Sequence, residues 1–306
     1  MVTVPEIFHT ACKADSPKTR IRIYFIGDSV DCTDDNDVQT NGTLLKLNET
    51  DTDSNGVVNI SRSPVVFTEY YNPNADKEIG RCVSNTVSMA LLNNEDALSD
   101  FGFGRCKIYL DLYAADQWIP VPMGVYIVDM PAKRRNAIIS ISAYDQMRKL
   151  DAEASPWWDS LDWTGGLSIW NLYISLCNHL GIAYNAADQG ELAGMYSDYP
   201  YTAQPFDASE MTYRDILGKM CEAHGVNAMF DRDGRLRLSF YSSNGAAYSD
   251  ADGIFDFDQY EYRVPIISGV TVKSSNEDVG LIVGNNNNSY IISRNSFFSP
   301  TNSSSS

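Results

Sequence analysis

The stretch Ser209–Phe240 constrains the fold of this chain more than any other, because it carries signals for both a helix and a hairpin. Thr212 with Asp215 three residues later forms a capping box, which satisfies free backbone N–H groups at a helix start. Gly225 predicts a left-handed C-cap that ends the helix. Between these signals runs an apolar stripe with helical spacing: Tyr213, Ile216, Leu217, Met220, Cys221 and His224.

After the helix the apolar period changes to two, which predicts two strands joined by a tight turn. A two-residue Asp-Gly turn would set Asp231 opposite Leu236 and place a carboxylate on the apolar face. A three-residue loop with Gly234 in the left-handed conformation pairs Leu236 with Phe230 instead. The same register also pairs Leu238 with Ala228 and Phe240 with Val226. We therefore predict a hairpin with a bulge at the glycine.

The charge of the chain excludes one broad class of function. Its 306 residues include 40 Asp and Glu against 23 Lys and Arg, which gives a formal net charge of -17. A protein that binds nucleic-acid phosphates needs a basic surface that releases counterions, and this composition does not supply one. The acidic balance fits acidic metal-binding loops, solubility, or a surface that nucleic acid passes without binding.

The cysteines and the N-terminal sequence indicate where the protein is made. The six cysteines include no close pair and no CxxC motif, so they suit buried thiols better than a disulfide framework. The first residues lack a basic region followed by a long apolar run, so we expect no signal peptide. No apolar run reaches the ~18 residues of a membrane span. We therefore expect synthesis and folding in a reducing cytoplasm.

The region from Arg20 to Tyr144 predicts strand after strand. Apolar residues alternate with polar ones around Ile23, Val87, Ile108 and Ile141, and helical periodicity is absent. Many short strands separated by Gly, Pro and Asn clusters are typical of an all-β barrel or sandwich. We assign residues 1–143 to a first β domain with two long acidic loops, Gly27–Asn41 and Asn48–Gly56.

The character of the sequence changes near residue 144. Residues 144–208 form a helical, Trp-rich insertion, with one short helix at Tyr144–Leu150 and a second amphipathic helix that ends at Gly181. Residues 209–293 contain the helix and hairpin described above and further strands, at Tyr262–Lys273, Leu281–Val283 and Tyr290–Ile292. Residues 294–306 form a low-complexity tail that we expect to be flexible.

Catalytic candidates in the sequence have better structural explanations. Gly27-Asp28-Ser29 resembles the serine block of GDS-type hydrolases, but no histidine stands three residues after an aspartate to activate Ser29. Asp231 and Asp233 are paired carboxylates, yet they fall in the predicted hairpin turn, where Asp binds the backbone. We therefore predict turns at both places and no catalytic residues.

One calcium-site hypothesis stays open. Asp51, Asp53, Asn55 and Gly56 fit the first half of an EF-hand loop, but Arg62 stands where the bidentate Glu belongs. A solvated turn explains the segment better than a calcium site, and no other cofactor is indicated. The acidic run Asp31, Asp34, Asp35 and Asp37 is typical of an exposed loop.

Histidine and tryptophan residues also allow two interpretations. His179 and His224 lie near helix ends, where packing or capping explains them better than metal ligation. A sugar-binding platform and a buried core or subunit interface are both consistent with the aromatic side chains. These are Trp157, Trp158, Trp163 and Trp170.

The order of the sequence blocks is more informative than any single motif. The region of Gly80–Leu150 carries three blocks in order: IGRCVSNTVSMALLNNED, PMGVYIVD and AYDQMRKLD. They are followed by SIWNLYISLCNHLGI, a connector and TYRDILGKMCEAHGVNAMFDRDGRLRL. The last blocks are VPIISGVTVKSSNEDVG and NSYIISRNSFF. In this order the blocks resemble the tail-hub, or baseplate-hub, proteins at the tail tip of bacteriophages. The resemblance covers nearly the whole chain after about Arg20.

The resemblance implies a specific architecture and role. It implies a mainly β protein with a smaller α/β part, in which two β-barrel-like domains carry an inserted helix-containing region. It further implies a homotrimer at the virion tail tip that closes the tail tube and takes part in DNA ejection. The implied partners are the distal tail protein or tube ring, the tape-measure protein, other tail-tip or fibre proteins, and DNA that passes without specific binding.

Two other readings compete with this one. A carbohydrate-binding β protein of a cell or virion surface would use the tryptophans, although the expected lack of a signal peptide counts against secretion. A hydrolase would use Ser29 or the acidic loops, and the missing catalytic histidine counts against it. No lytic activity is carried over from the family, since no catalytic residue of this chain matches one.

Overall fold

The computed structural model describes residues 18–47, 65–68, 79–92, 104–135, 138–190, 202–203, 205–240, 269–273, 281–284 and 289–293. The chain divides into two compact units, each built from separate segments. Unit 1 comprises Met1–Tyr71, Ser84–Lys149 and Phe230–Leu236. Unit 2 comprises Asn72–Val83, Leu150–Met229 and Arg237–Ser306. The domain boundaries predicted from the sequence remain a prediction.

Unit 1 is built on a seven-stranded antiparallel sheet, ordered β2-β1-β5-β6-β7-β4-β3. The strands are β1 (Thr19–Ile26), β2 (Thr43–Leu47), β3 (Val66–Thr68), β4 (Thr86–Leu92), β5 (Arg105–Ala114), β6 (Gln117–Arg135) and β7 (Ile138–Asp145). The mainly β prediction is confirmed. Among the described residues β2 and β3 are the edge strands, each paired on one side only, so the barrel closure implied by the resemblance remains a proposal.

The sheet of unit 1 is buried on both faces. On one face, side chains from β1, β4, β5, β6 and β7 form a single apolar core that includes Ile23, Val87, Ile108 and Ile141. On the other face, a smaller cluster joins Tyr24 and Tyr109 to Val30 and Val38 of the connection after β1. Burial of both faces means that the polar residues of the central strands need partners inside the protein.

One prediction in unit 1 was wrong, because the acidic loop Gly27–Asn41 contains a helix, α1 (Asp35–Asn41). Asp34 caps it by accepting a hydrogen bond from the Asn36 N–H, and Asp35 and Asp37 lie in its first turn, where carboxylates favour the helix dipole. Val38 is its one buried residue. A single apolar anchor in seven residues produces no periodicity, which is why the pattern indicated a loop.

Unit 2 carries most of the helices. They are α2 (Ser155–Asp159), α3 (Ile169–Leu180) and α4 (Tyr213–His224), and a short 3-10 helix, Gln146–Asp151, precedes them where the sequence predicts Tyr144–Leu150. Gly181 and Gly225 both adopt the predicted left-handed C-cap, at φ 60° and 66°. Both arms of the capping box of α4 form. Two short strands, β8 (Leu167–Ser168) and β9 (Thr202–Ala203), pair antiparallel.

The predicted hairpin follows α4 as β10 (Val226–Phe230) and β11 (Leu236–Phe240). Gly234 has φ +84°, and the Asp231 N–H donates to the Arg235 carbonyl at 2.9 Å, as the three-residue loop requires. The bulged turn is therefore confirmed. The tip, Phe230–Leu236, is assigned to unit 1, and the remainder of both strands is assigned to unit 2.

A small sheet of three strands completes the described part of unit 2. Its strands are β12 (Gly269–Lys273), β13 (Leu281–Gly284) and β14 (Ser289–Ser293). Strand β12 lies in the centre, antiparallel to β13 and parallel to β14. Strand β12 matches the C-terminal end of the predicted Tyr262–Lys273, and β13 and β14 contain the predicted Leu281–Val283 and Tyr290–Ile292. Residues 262–268 and the predicted tail, 294–306, lie outside the described residues.

Candidate functional site

The most unusual polar feature of unit 1 is a row of alternate residues on one face of β5, here called the β5 polar row: Arg105, Lys107, Tyr109 and Asp111. Alternation alone would place such residues in solvent. In the structure Lys107 and Asp111 are both 0% exposed, because the connection between β1 and β2 covers Lys107 and the arginines of β1 cover Asp111. A fully buried charge is stable only with partners that are close and charged or hydrogen-bonded.

Lys107 obtains its partners from this connection. Its Nζ donates to the Cys32 carbonyl at 2.9 Å and to Asp35 Oδ1 at 2.6 Å. The Tyr109 hydroxyl donates to the same carboxylate oxygen at 2.6 Å. Burial acts to raise the pKa of Asp35, but the hydrogen bonds from Lys107 and Tyr109 outweigh it and hold that pKa below its ordinary value. The cluster fixes the start of α1 to the sheet.

Asp111 lies at the end of the β5 polar row between two arginines of β1. Arg20 stands opposite Asp111 in the strand register, and its Nε donates to the carboxylate at 2.7 Å. Arg22 donates from Nε at 2.5 Å and from Nη2 at 2.9 Å. Burial would lower the pKa of Arg22, but Asp111 outweighs that effect and raises it. Asp111, Arg20 and Arg22 thus form one ion-pair network that joins β1 to β5.

Arg105 begins the β5 polar row and holds the turn where the sequence suggested a hydrolase serine. Its Nη2 donates to the Gly27 carbonyl at 2.7 Å and to the Val30 carbonyl at 3.0 Å. The Val30 N–H donates back to the Gly27 carbonyl at 3.3 Å, which closes a turn with Asp28 and Ser29 exposed at its corner. The predicted turn is confirmed.

The acidic residues after this turn bind their own backbone. Asp31 accepts hydrogen bonds from the Thr33 N–H at 2.9 Å and the Thr33 hydroxyl at 2.8 Å, and these bonds lower the pKa of Asp31. Asp37 accepts from the Asp31 N–H at 2.6 Å and from Asn41 at 2.6 Å. Within the described ranges no group of three His, Cys, Asp or Glu residues is placed to hold a metal ion. The calcium candidates Asp51, Asp53 and Asn55 lie outside those ranges.

The paired carboxylates of the hairpin turn also have structural roles. Asp231 Oδ1 accepts from the Asp233 N–H at 3.0 Å and from the Arg235 N–H at 2.8 Å. Burial raises the pKa of Asp231. Within unit 1 the Gly234 carbonyl accepts from Gln146 Nε2 at 2.7 Å, so the bulge glycine is held by its backbone.

Unit 2 has an aromatic cluster around α2. Trp157 and Trp158 are 4% and 2% exposed, and their rings contact each other edge to face at 6.0 Å. Trp157 also packs on Tyr213 at 5.7 Å, whose hydroxyl lies 3.0 Å from His179 Nε2. Burial raises the pKa of Tyr213. Buried indoles cannot stack on a sugar in solvent, so the cluster is a core.

The remaining residues singled out from the sequence have local partners. Trp163 is half-buried against Trp158, and Trp170 is half-buried against Tyr173. His224 Nδ1 lies 3.0 Å from the Met220 carbonyl at the end of α4, and burial lowers the pKa of His224. The packing and capping roles predicted for both histidines therefore fit the structure.

Sequence reasoning missed the buried polar residues. Asp145 accepts from Ser84 at 2.9 Å and from the Asn85 N–H at 2.7 Å. Asp188 accepts from the Leu238 N–H at 2.6 Å. For β5 the available signal is a polar residue at each alternate position of a strand whose other face is apolar, but only tertiary packing shows which of these residues are covered.

Comparisons with known proteins complete this description. No family model matches the chain, and no curated protein matches it. A 43 kDa tail protein of prophage MuSo2 from Shewanella oneidensis superimposes with a TM-score of 0.36 and 15% identity, covering 72% of this chain and 68% of that one. A tail protein from Neisseria meningitidis MC58 gives 0.32 and 11%, covering 75% and 65%. In the part of the chain that the structure describes, no helix is long and apolar enough to cross a membrane.

Proposed function

We propose that the protein is a structural component of a bacteriophage tail tip, a trimeric hub that closes the tail tube and takes part in DNA ejection. The observation that carries this proposal is the ordered series of sequence blocks from about Arg20 to the late NSYIISRNSFF segment. The superpositions on the two tail proteins are too weak to support an argument, and the proposal does not rest on them.

The contacts within unit 1 support a structural role. The buried charges of the β5 polar row and the carboxylate of Asp145 bind other parts of the same unit. A catalytic site needs a polar group that faces a cleft and remains available to a substrate. Internal networks of this kind fix connecting segments to a sheet, as a subunit that must keep its shape in an assembly requires.

The block TYRDILGKMCEAHGVNAMFDRDGRLRL has a clear structural part within each unit. It supplies unit 2 with the capped helix α4, and it supplies unit 1 with the hairpin tip that Gln146 holds. One continuous block thus contributes to both compact units. In the proposed hub this block joins the helix-containing region to the second β part.

The proposed partners follow from this role. A trimer would meet the distal tail protein or tube ring on one side and the tape-measure protein inside, with other tail-tip or fibre proteins nearby, in a virion assembled in the host bacterial cytoplasm. The net charge of -17 suits a lumen that DNA phosphates pass without binding. A tube-facing surface that proved neutral or basic in an assembled particle would contradict this use of the charge.

The proposal is tested by removing the gene from the phage or prophage genome that encodes it. We expect particles without complete tails in electron micrographs, restored when the protein is supplied from a plasmid, and gold-labelled antibody at the tail tip. Normal tails in the deletion strain would overturn the proposal. A neighbouring gene for a long helical tape-measure protein is a further expectation.

The carbohydrate-binding alternative loses the support of its aromatic residues. Trp157 and Trp158 are buried, and Trp163 and Trp170 are half-buried against other rings. Binding on a glycan array that disappears in the Trp163→Ala variant, with folding intact, would restore this alternative.

A further inference from the structure

A short segment of unit 2, residues 79–83, lies along strand β10 and is called here the strap. The Gly80 N–H donates to the Val226 carbonyl at 2.9 Å, and the Val83 N–H donates to the Ala228 carbonyl at 3.0 Å. Ala228 returns a bond from its N–H to the Arg81 carbonyl at 2.8 Å. The strap is therefore held to β10 through its backbone, with Cys82 opposite Ala228 in a parallel bridge.

Two glycines let the strap approach helix α4 closely. Gly80 has φ +81°, and a Cβ at this position would lie 2.7 Å from Glu222 Cβ and 2.9 Å from the Gly218 carbonyl oxygen. A Cβ on Gly218 would lie 3.1 Å from the Gly80 carbonyl oxygen. Larger residues at these positions would push the strap off the helix. The contact between strap and helix is thus fixed at the backbone level.

This contact brings two thiols together. The Cys82 thiol donates to the Arg214 carbonyl at 3.7 Å, and a Cβ on Gly218 would lie 3.9 Å from Cys82 Sγ. Arg214, Gly218 and Cys221 follow one another at helical spacing of four and three, so they share one face of α4. Cys221 lies on this same face of α4, one helical turn after Gly218, so the Cys82 thiol packs on the part of the helix that carries Cys221.

We propose that Cys82 and Cys221 are a disulfide-forming pair, which closes when the folded protein meets a small-molecule disulfide such as oxidised glutathione. Cys82 is the entry point because it is partly exposed, whereas Cys221 is 1% exposed. The Cys82 thiolate attacks one sulfur of oxidised glutathione, forms a mixed disulfide and releases one glutathione thiolate. The Cys221 thiolate then attacks the Cys82 sulfur, releases the second glutathione, and leaves both cysteines oxidised. Each cysteine loses one proton, and the two electrons reduce the glutathione disulfide.

The second step has its own pH dependence. The hydrogen bond with Cys82, together with burial, raises the pKa of the Cys221 thiol well above its ordinary value. The reactive thiolate of Cys221 is therefore scarce near neutral pH, and closure accelerates as the pH rises. Of the charged and titratable residues on these packed elements, Arg214 pairs with Asp151, Glu222 packs on Gly80, and His224 lies against the Met220 carbonyl, while Arg81 neighbours Cys82 in the strap.

The consequence of closure is a covalent link between the strap and α4. Both thiols are free in the structure, and the glutathione pool of a cytoplasm would keep them reduced. Transfer to an oxidising environment then provides the link between two segments that already pack on each other. This inference rests on the contacts within unit 2 and does not depend on the proposed tail function.

The test is to treat the folded, reduced protein with oxidised glutathione and to analyse it by intact mass and non-reducing peptide mapping. We expect the loss of two hydrogen atoms and a cross-linked peptide that joins Cys82 to Cys221. The unfolding midpoint of the oxidised protein should rise by about 5 °C over its reduced form. A product that stops at the Cys82–glutathione mixed disulfide, or no reaction, would overturn the proposal.

Variants separate this pair from the other thiols. Cys82→Ser, at a partly exposed position, should abolish both the cross-link and the rise in midpoint. Cys177→Ala, at a buried thiol of α3 in the same unit, is the matched control and should keep both. A cross-link that survives in Cys82→Ser, or that maps to Cys177, would show a different pairing and contradict the proposal. The peptide map of the unmutated protein gives the answer even where a variant folds poorly.

Discussion

The two units fix their connecting segments by different physical means. In unit 1, buried charges bind the connection after β1 to the sheet, as Lys107 with Asp35 shows, and join β1 to β5, as Asp111 with Arg20 and Arg22 shows. In unit 2, the helices are bound by apolar and aromatic packing around Trp157 and Trp158. The difference teaches that loss of one partner destabilises the two units by different mechanisms. It leaves an uncompensated charge in unit 1 and a cavity in unit 2.

The largest expected effect is in unit 1, for Asp111→Ala. The change leaves Arg20 and Arg22 with their side chains 23% and 11% exposed and without their shared carboxylate. We expect the free energy of unfolding of unit 1 to fall by about 4 kcal/mol. This loss of stability is measured by urea unfolding in which hydrogen exchange of peptides from unit 1 is the signal. The control is Asp129→Ala, whose pair with Arg148 is solvent-exposed and should be worth less than about 1 kcal/mol. Equal effects would contradict the comparison.

The counterpart in unit 2 is Trp157→Ala. It removes a buried indole that contacts Trp158, Tyr213 and His179, and we expect a loss of about 3 kcal/mol from cavity formation. Tryptophan fluorescence measures this loss in a Trp118→Phe background, since the other four of the five tryptophans belong to unit 2. The half-buried Trp163→Ala is the control and should cost less. Recovery of stability when a small apolar ligand binds the variant would confirm the cavity. An unchanged unfolding midpoint in Trp157→Ala would argue against a core role for this side chain.

The two partners of one ion pair in unit 1 should also differ. Asp35→Ala leaves the fully buried Lys107 without a carboxylate and should cost about 3 kcal/mol. Lys107→Met leaves Asp35, whose side chain is 50% exposed and stays hydrated, and should cost about 1 kcal/mol. Chemical unfolding of both variants at neutral pH measures the asymmetry. A larger cost for Lys107→Met would show that the buried cation itself stabilises the unit.

The same pair predicts a pH dependence. The pKa of Asp35 is lower in the folded protein than in the unfolded chain, so its contribution is complete above the unfolded value of about 3.9 and is lost as the pH falls through the folded value. As the pH falls, the wild type should therefore lose the contribution of the Asp35–Lys107 pair, which Lys107→Met lacks at every pH. The difference in free energy of unfolding between wild type and Lys107→Met should narrow below about pH 4. A constant difference from pH 7 to pH 3, read by urea midpoints, would refute the assignment.

A backbone test at the hairpin tip has a smaller effect. Gly234→Ala places a Cβ 2.7 Å from Val125 Cγ2 at a φ of +84°, and we expect a loss of about 2 kcal/mol in unit 1. Gly27→Ala is the control, because nothing lies within 4 Å of its Cβ position and its φ is not positive. It should change stability by less than about 0.5 kcal/mol. Thermal unfolding of both variants compares them.

The smallest expected effect is Thr212→Ala, which removes the side-chain arm of the α4 capping box. Thr212 Oγ1 accepts from the Asp215 N–H at 3.1 Å, and its loss should cost about 1 kcal/mol. Hydrogen exchange of the first turn of α4 should accelerate, and exchange at its last turn, near His224, should change little. A uniform acceleration along the helix would mean that the cap acts on the whole of unit 2.

The sequence by itself determined the local structure of α3, α4 and the hairpin, because the signals act over a few residues. The capping box, the cap glycines Gly181 and Gly225, and the bulge at Gly234 appear where the pattern predicts them. The alternating strands of unit 1 follow for the same reason. The helix α1 could not be predicted from the sequence, since its single buried apolar residue, Val38, produces no periodic pattern.

Only the tertiary structure decided which polar residues are buried and which thiols meet. Asp111 lies 91 positions from Arg20 in the chain, and Gln146 lies 88 positions from Gly234. Such partners depend on strand order and register, which local propensity does not specify. The same holds for Cys82 and Cys221, because only the packing of the strap on α4 places the Cys82 thiol on the helix face that carries Cys221. Local free energies select helices and turns, whereas the desolvation of charges and thiols is a property of the complete fold.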